Sequence, residues 1–298
     1  MKLVFDLFKI YVTINSKVGE IMLEIGETTI ISNQMNGLFR GKIVKEIIVG
    51  ETPHKFAWFY EPVTHYIDYL IGNQFIEASS IGSMIEITFG QDVIMILGEG
   101  EDIIYVSSQD EIPLKHQLLV LFDDNTGFHV KIKLYGWLLV GKRQDLHRDI
   151  LYYRLAKERQ NVLSKGFTLE YFMNNIIKPN VGQSLKAALA TKQNIPGLGN
   201  GTLQDILWNA YLHPKTKVST LSENEKVNLY HSIINTVNDI IVNGGRSTET
   251  SLFGQPGGYQ VLISNKSKHC VRCASDSITE SYLGGKIYFC KNCQPYQK

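Results

Sequence analysis

The sequence predicts an α+β chain of two domains, strands first and helices after. Three observations carry that reading. Residues 22–140 hold short β-branched or alternating runs broken by turn residues. Beyond residue 150 the apolar pattern becomes helical. All four cysteines fall in the last 29 residues, as two C-x2-C pairs.

Within the first domain, strands are expected at residues 42–49, 84–89, 92–97 and 118–122, separated by turn residues such as Gly90 and Asp123-Asp124-Asn125. One helix fits residues 27–38, ahead of Gly41. Several short strands at this spacing suggest a sandwich or barrel. The charged stretch 141–148, GKRQDLHR, reads as a linker. Helices are then expected at 168–177, 184–190, 201–210 and 222–243. Thr220 or Ser222 can cap the last of these, with Glu223 and Glu225 in its first turn and Gly244-Gly245 ending it.

The net charge of +1 conceals a division. Residues 151–298 carry 17 Lys/Arg against 9 Asp/Glu, a net of +8, whereas residues 1–150 carry 13 against 20, a net of −7. A basic second half is the footprint of a phosphate-bearing partner. No apolar run is long enough to cross a bilayer. The first 21 residues are interrupted by Asp6 and Lys9 and lack a small-residue cleavage pattern, so a cytoplasmic protein is expected, with no membrane partner and acting as a monomer.

Cys270-Val-Arg-Cys273 and Cys290-Lys-Asn-Cys293 are separated by sixteen residues. Each pair bends two thiolates toward one point, which is the ligand pattern of a tetrahedral zinc ion. Residues 278–283, Gly284-Gly285 and residues 286–289 read as a hairpin between the pairs. Four protein ligands leave no open position, so this metal holds the fold and does no chemistry. Residues 186–200, KAALATKQNIPGLGN, read as a helix, a glycine-rich turn and the start of a second helix. Gly197 and Gly199 allow close backbone approach, and the amides opening the second helix, with Asn200, can hold a phosphate.

Together with the cysteine hairpin, which ends in Cys293-Gln294, this segment resembles the formamidopyrimidine-DNA glycosylase/endonuclease VIII family, over about residues 22–294. Lys115-His116 followed by Phe122-Asp123-Asp124, and Pro256-Gly257-Gly258-Tyr259, strengthen the resemblance. It implies an N-terminal β-sandwich over 22–150, a helix-two-turn-helix domain over 151–260 and a zinc finger over 261–298. Damaged or abasic double-stranded DNA would lie in the cleft between them. It further implies base-excision repair: a damaged base is flipped out of the duplex and excised, with cleavage of the strand at the abasic site. The family's nucleophile is the amine of an N-terminal proline, and an α-amino group suits the task because its pKa is roughly 7.7–8.0.

The stretch MLEIGETTII, residues 22–31, resembles the family's start, so residues 1–21 are expected to lie outside the functional fold, with translation beginning at Met22. Leu23 then stands at the nucleophile's position and Gly26 at that of a second proline, while Glu24, the family's acid and base, and Glu27 are kept. Other departures are Ser83 where the family has a lysine after Gly82, Glu99 near a gap-filling methionine, and Gly285 at the finger arginine, with Lys286 beside it. Lys186, Asn200 and the aromatic Tyr135, a candidate wedge, are retained. These losses leave a second expectation open, a catalytically impaired protein that binds distorted or abasic DNA without cutting it.

Overall fold

The computed structural model describes residues 22–50, 52–191 and 193–296; the leader, 1–21, lies outside them. The chain opens with α1 (Ile25–Phe39), followed by β1 (Val44–Val49), β2 (Ala57–Phe59), α2 (Val63–Leu70), β3 (Phe75–Ile81), β4 (Met84–Phe89), β5 (Val93–Val106), β6 (Leu118–Phe122) and β7 (Gly127–Lys142). The strands hydrogen-bond in the order β1-β6-β7-β5-β4-β3, with β2 parallel to β7. β3 and β6 are well separated in that order, yet the rings of Phe75 and Phe122 lie 6.0 Å apart. The sheet therefore folds back over its own core as a sandwich. Phe39 of α1 joins these two rings at 5.9 and 4.8 Å, closing the core with aromatic surface.

The stretch expected to be a linker is instead the end of β7 and a short helix, α3 (Arg143–Asp149), leading into α4 (Leu151–Glu158). Arg143 binds it to the sheet: its guanidinium pairs with buried Glu86 and donates to Thr88 Oγ1. Further on, the chain forms π-helical turns at Phe172–Ile177 and Ala187–Thr191, then α5 (Asn200–Asn209) and α6 (Glu223–Val242). Ser222 caps α6 in a reciprocal capping box with Glu225. A second apolar core gathers around Phe172, Leu189, Leu203 and Ile233. The hairpin β8 (Ser277–Tyr282) and β9 (Gly285–Cys290) follows.

α1 joins the two cores. Leu23, just ahead of it, is buried in the sheet's core, whereas Ile25 is buried in the helical one. The Gly82 turn between β3 and β4 and the glycine-rich turn at Gly197 meet backbone to backbone, with φ of +66° and +76°. A Cβ on Gly197 would collide with the Gly82 backbone, so only glycine fits there. No helix among the described residues is long and apolar enough to cross a membrane.

Candidate functional site

The N-terminus of α1 points at the N-terminus of α5, and Glu24 fills the space between. Its carboxylate accepts from the backbone amides of Gly199, Gly201 and Thr202 at 3.1, 2.9 and 3.0 Å. Three otherwise orphaned donors and the positive end of the α5 dipole thus hold one negative charge. Glu24's own amide donates to Glu27 Oε2 at 3.1 Å.

Arg246, immediately after the glycines that end α6, completes the cluster. Its Nε and Nη2 donate to Glu27 at 2.9 Å each, Nη1 donates to Glu24 at 3.1 Å, and Nη2 also reaches the Met22 carbonyl at 2.9 Å. All three side chains are at most 5% exposed. Burial disfavours the guanidinium's charge, but the two carboxylates outweigh it and raise its pKa well above the usual value. A Cβ on Gly201 would stand 1.9 Å from Arg246 Nη1 and push the guanidinium off its carboxylates. Sequence reasoning missed Arg246. Its only signal was a position next to Gly244-Gly245, and its partners lie more than 200 residues earlier.

Leu23 sits beside this cluster with its amide donating to the Glu99 carbonyl at 2.9 Å. Glu99 is fully buried at φ +79°. Its Oε1 lies 2.8 Å from Ser83 Oγ, which is 2.9 Å from the Tyr152 hydroxyl, and that hydroxyl donates to Gln193 at 3.0 Å. Burial raises the Glu99 pKa to about 7, against the Ser83 hydrogen bond and with help from the charge on Glu24. The positions where the family has a lysine and near its methionine thus form one buried hydrogen-bonded string. Burial also raises Glu249 to about 8.

Lys186 and Asn200 converge on the finger. Lys186 Nζ donates to the Tyr282 carbonyl at 2.8 Å, and Asn200 Nδ2 to the Lys286 carbonyl at 3.0 Å. Lys186 is only 4% exposed, and burial lowers its pKa to about 8. The Lys286 side chain is exposed at the same turn.

Tyr135 requires a correction. A wedge must face solvent, but this ring is 1% exposed, packs 5.4 Å from Trp58, and its hydroxyl donates to Met22 Sδ at 3.1 Å. Glu99 pairs with Gly136 and Glu101 with Ile132, so β7 carries two more residues than β5 across this interval, a bulge that includes Tyr135.

The four cysteine sulfurs lie within 4.8 Å of one another. Cys270 and Cys293 are 3.9 Å apart, and Cys273 and Cys290 are 3.4 Å apart. Tetrahedral zinc with Zn–S bonds of about 2.3 Å separates its ligands by about 3.8 Å, so this cluster fits a structural zinc. α5 carries the finger: Trp208 Nε1 donates to Cys270 Sγ at 3.3 Å, and Gln204 Oε1 accepts from the Tyr288 amide at 3.1 Å. Arg272 stacks between Trp208 and Tyr211, 3.6 and 3.8 Å from their ring centres.

Comparison with known proteins agrees with this architecture. Residues 155–251 match the formamidopyrimidine-DNA glycosylase H2TH domain model. A formamidopyrimidine-DNA glycosylase of Bacillus cereus is 23% identical over 282 residues, covering 92% of this chain and 99% of its own. One from Cytobacillus firmus is 32% identical over 137 residues, 44% of this chain and 49% of its own. The crystal structure of MutM (Fpg) from Thermus thermophilus superposes with a TM-score of 0.77 at 18% identity, covering 92% of this chain and 100% of that one. The Lactococcus lactis Fpg in complex with abasic-site DNA gives 0.78 at 21% identity, covering 91% and 99%. With the helix-two-turn-helix match, the full-length relatives and the four-cysteine hairpin in agreement, the chain belongs to the formamidopyrimidine-DNA glycosylase/endonuclease VIII family.

Proposed function

We propose that this protein is a cytoplasmic DNA-repair glycosylase that binds damaged duplex DNA, excises the damaged base and cleaves the strand at the resulting abasic site. The observation that carries the reading is the junction at Glu24, where the sheet domain's acid is seated on the first turn of α5. That one turn also carries Asn200, which reaches the finger. The residue assigned to chemistry and those assigned to gripping DNA are thus bound into one unit.

In this reading the flipped nucleotide enters beside residues 23 and 24, paying the unstacking cost that base flipping demands. With the chain beginning at Met22, the primary amine of Met22 bonds to the sugar C1′ as the C1′–N bond to the base breaks, and the amine's proton passes to Glu24 and from it to the departing base. Glu24 is the acid and base in these transfers. Glu27 and Arg246 are positioning residues, fixing the Glu24 carboxylate against α5. Lys186, Asn200 and Lys286 hold the DNA backbone, supported by the +8 charge of residues 151–298. One zinc ion on Cys270, Cys273, Cys290 and Cys293 keeps the finger folded.

Binding to three otherwise identical duplexes tests the proposal: intact, abasic and formamidopyrimidine-containing. Tighter binding to the two damaged duplexes supports it. Equal binding to all three at physiological salt would count against it.

A further inference from the structure

We propose that Glu99 is a positioning residue for the Glu24 site: as a neutral carboxylic acid it supplies the proton that completes the hydrogen-bonded string holding the glycine-rich turn on which Glu24 is seated. Its part in catalysis rests on the functional reading above.

The supply of hydrogens fixes the direction of the string. Gln193 Oε1 accepts from the Gly197 amide at 3.3 Å, which makes that atom the amide oxygen and not the nitrogen. The Tyr152 hydroxyl lies 3.0 Å from the same oxygen and donates to it. With its one proton spent, Tyr152 accepts from Ser83 Oγ at 2.9 Å. The single proton of Ser83 is then spent too, so the 2.8 Å contact between Ser83 Oγ and Glu99 Oε1 takes its proton from the acid. The other carboxyl oxygen agrees. Glu99 Oε2 is buried with no hydrogen-bond partner among the described residues, where an ionised carboxylate would be left uncompensated. The titratable groups facing Glu99 are Glu24, whose charge Arg246 partly offsets, Glu101 of β5 and Tyr135 of β7, and none of these three is a cation.

The string runs from β5 through the Gly82-Ser83 turn and α4 into the seat of Glu24. Gly197, whose amide Gln193 accepts, gives its own carbonyl to the Ile25 amide at 3.0 Å, and Gly199 gives its amide to Glu24. At the other end the Glu99 carbonyl accepts from the Leu23 amide. Residue 99 thus holds position 23 through its backbone and the seat of Glu24 through its side chain. Loss of the proton reverses the string. Ser83 then donates to the carboxylate and Tyr152 to Ser83, and Gln193 Oε1 faces a hydroxyl oxygen with no hydrogen between them. Glutamine at position 99 donates through its amide at every pH and keeps the string, whereas methionine fills the space and donates nothing.

The full chain, labelled with 15N, reports on the turn. The Gly197 and Gly199 amide resonances should titrate with a midpoint near pH 7 in the wild type, and that step should be missing in Glu99→Gln. Amides that titrate alike in both proteins, or in neither, overturn the inference. Base release by the form that begins at Met22 reads the catalytic consequence. The ratio of the Glu99→Gln rate to the wild-type rate should be about one at pH 6 and rise roughly ten-fold by about pH 8.5, where less than about a tenth of wild-type Glu99 keeps its proton. Glu99→Met should be roughly ten-fold slower than wild type already at about pH 6. A ratio that stays flat while the wild type releases base overturns the inference and leaves the functional reading in place. No release by wild-type protein at any pH removes the functional reading, and the role of Glu99 with it.

Discussion

Replacing Arg246 by methionine keeps much of the side chain's bulk and removes the charge that Glu24 and Glu27 share. Three side-chain bonds to carboxylates and one to the Met22 carbonyl disappear, while both carboxylates stay at most 5% exposed. Removing one partner of a buried ion pair typically costs about 3–5 kcal/mol, because the remaining charge is uncompensated. Glu24 keeps its three α5 amides, so the greater part of the penalty falls on Glu27. Urea unfolding followed by circular dichroism should show this loss at pH 7. Adding Glu24→Gln and Glu27→Gln to the Arg246→Met variant should recover at least half of it, since no buried charge is then left alone. Stability of Arg246→Met within about 1 kcal/mol of wild type would refute the argument. So would a triple variant no better than the single, which would mean that packing and not charge was lost.

Four further outcomes follow. Glu99 holds its proton up to about pH 7 when folded, against an ordinary value of 4.5, so its contribution to stability should fall as pH rises between those values and level off above. Glu99→Gln should lack that fall; Glu101 and Glu249 are raised in the same direction, so the measurement is the difference between variant and wild type, and parallel curves would contradict it. Metal analysis should find one zinc per chain, with Cys273→Ser lowering both zinc content and finger stability; protein purified without chelator and free of zinc would rule this out. Lys186→Ala should weaken binding to all duplexes by a similar factor and reduce the salt slope by roughly one, whereas a loss confined to one lesion would reassign the residue. An amide cannot form a Schiff base, so borohydride with abasic DNA should not trap the 298-residue chain at residue 22 or 23, and a form starting at Met22 should trap weakly; equal trapping of both would place the amine on a lysine elsewhere.

What could be read from the sequence was what is local. The two C-x2-C pairs are set by metal geometry over a few residues, and the Ser222 capping box and the start of the second helix at Asn200 are written in adjacent positions. β3 escaped notice because a register shift between Phe75 and Glu77 breaks its alternation, and β2 is three residues long and pairs in parallel with a distant strand. The stretch 141–148 read as a linker because the partners of Arg143, Glu86 and Thr88, come from another strand. Tyr135 was misjudged because the resemblance that nominated it matches residue type and not exposure, and Trp58 packs against its ring. At the candidate site, Glu24 and Glu27 were legible through resemblance to the family's start, but the arginine that holds them was not. Its role depends on a contact spanning 222 residues.

The central claim is that this chain removes damaged bases from DNA, and direct detection of the product tests it. A duplex carrying one formamidopyrimidine is incubated with the form of the protein that begins at Met22, and the released base is measured by mass spectrometry. Free base should exceed the protein-free control and fall at least about a hundred-fold with Glu24→Gln, in line with the loss of a general acid–base. No release from duplex that is demonstrably bound, or release unaffected by Glu24→Gln, would contradict it.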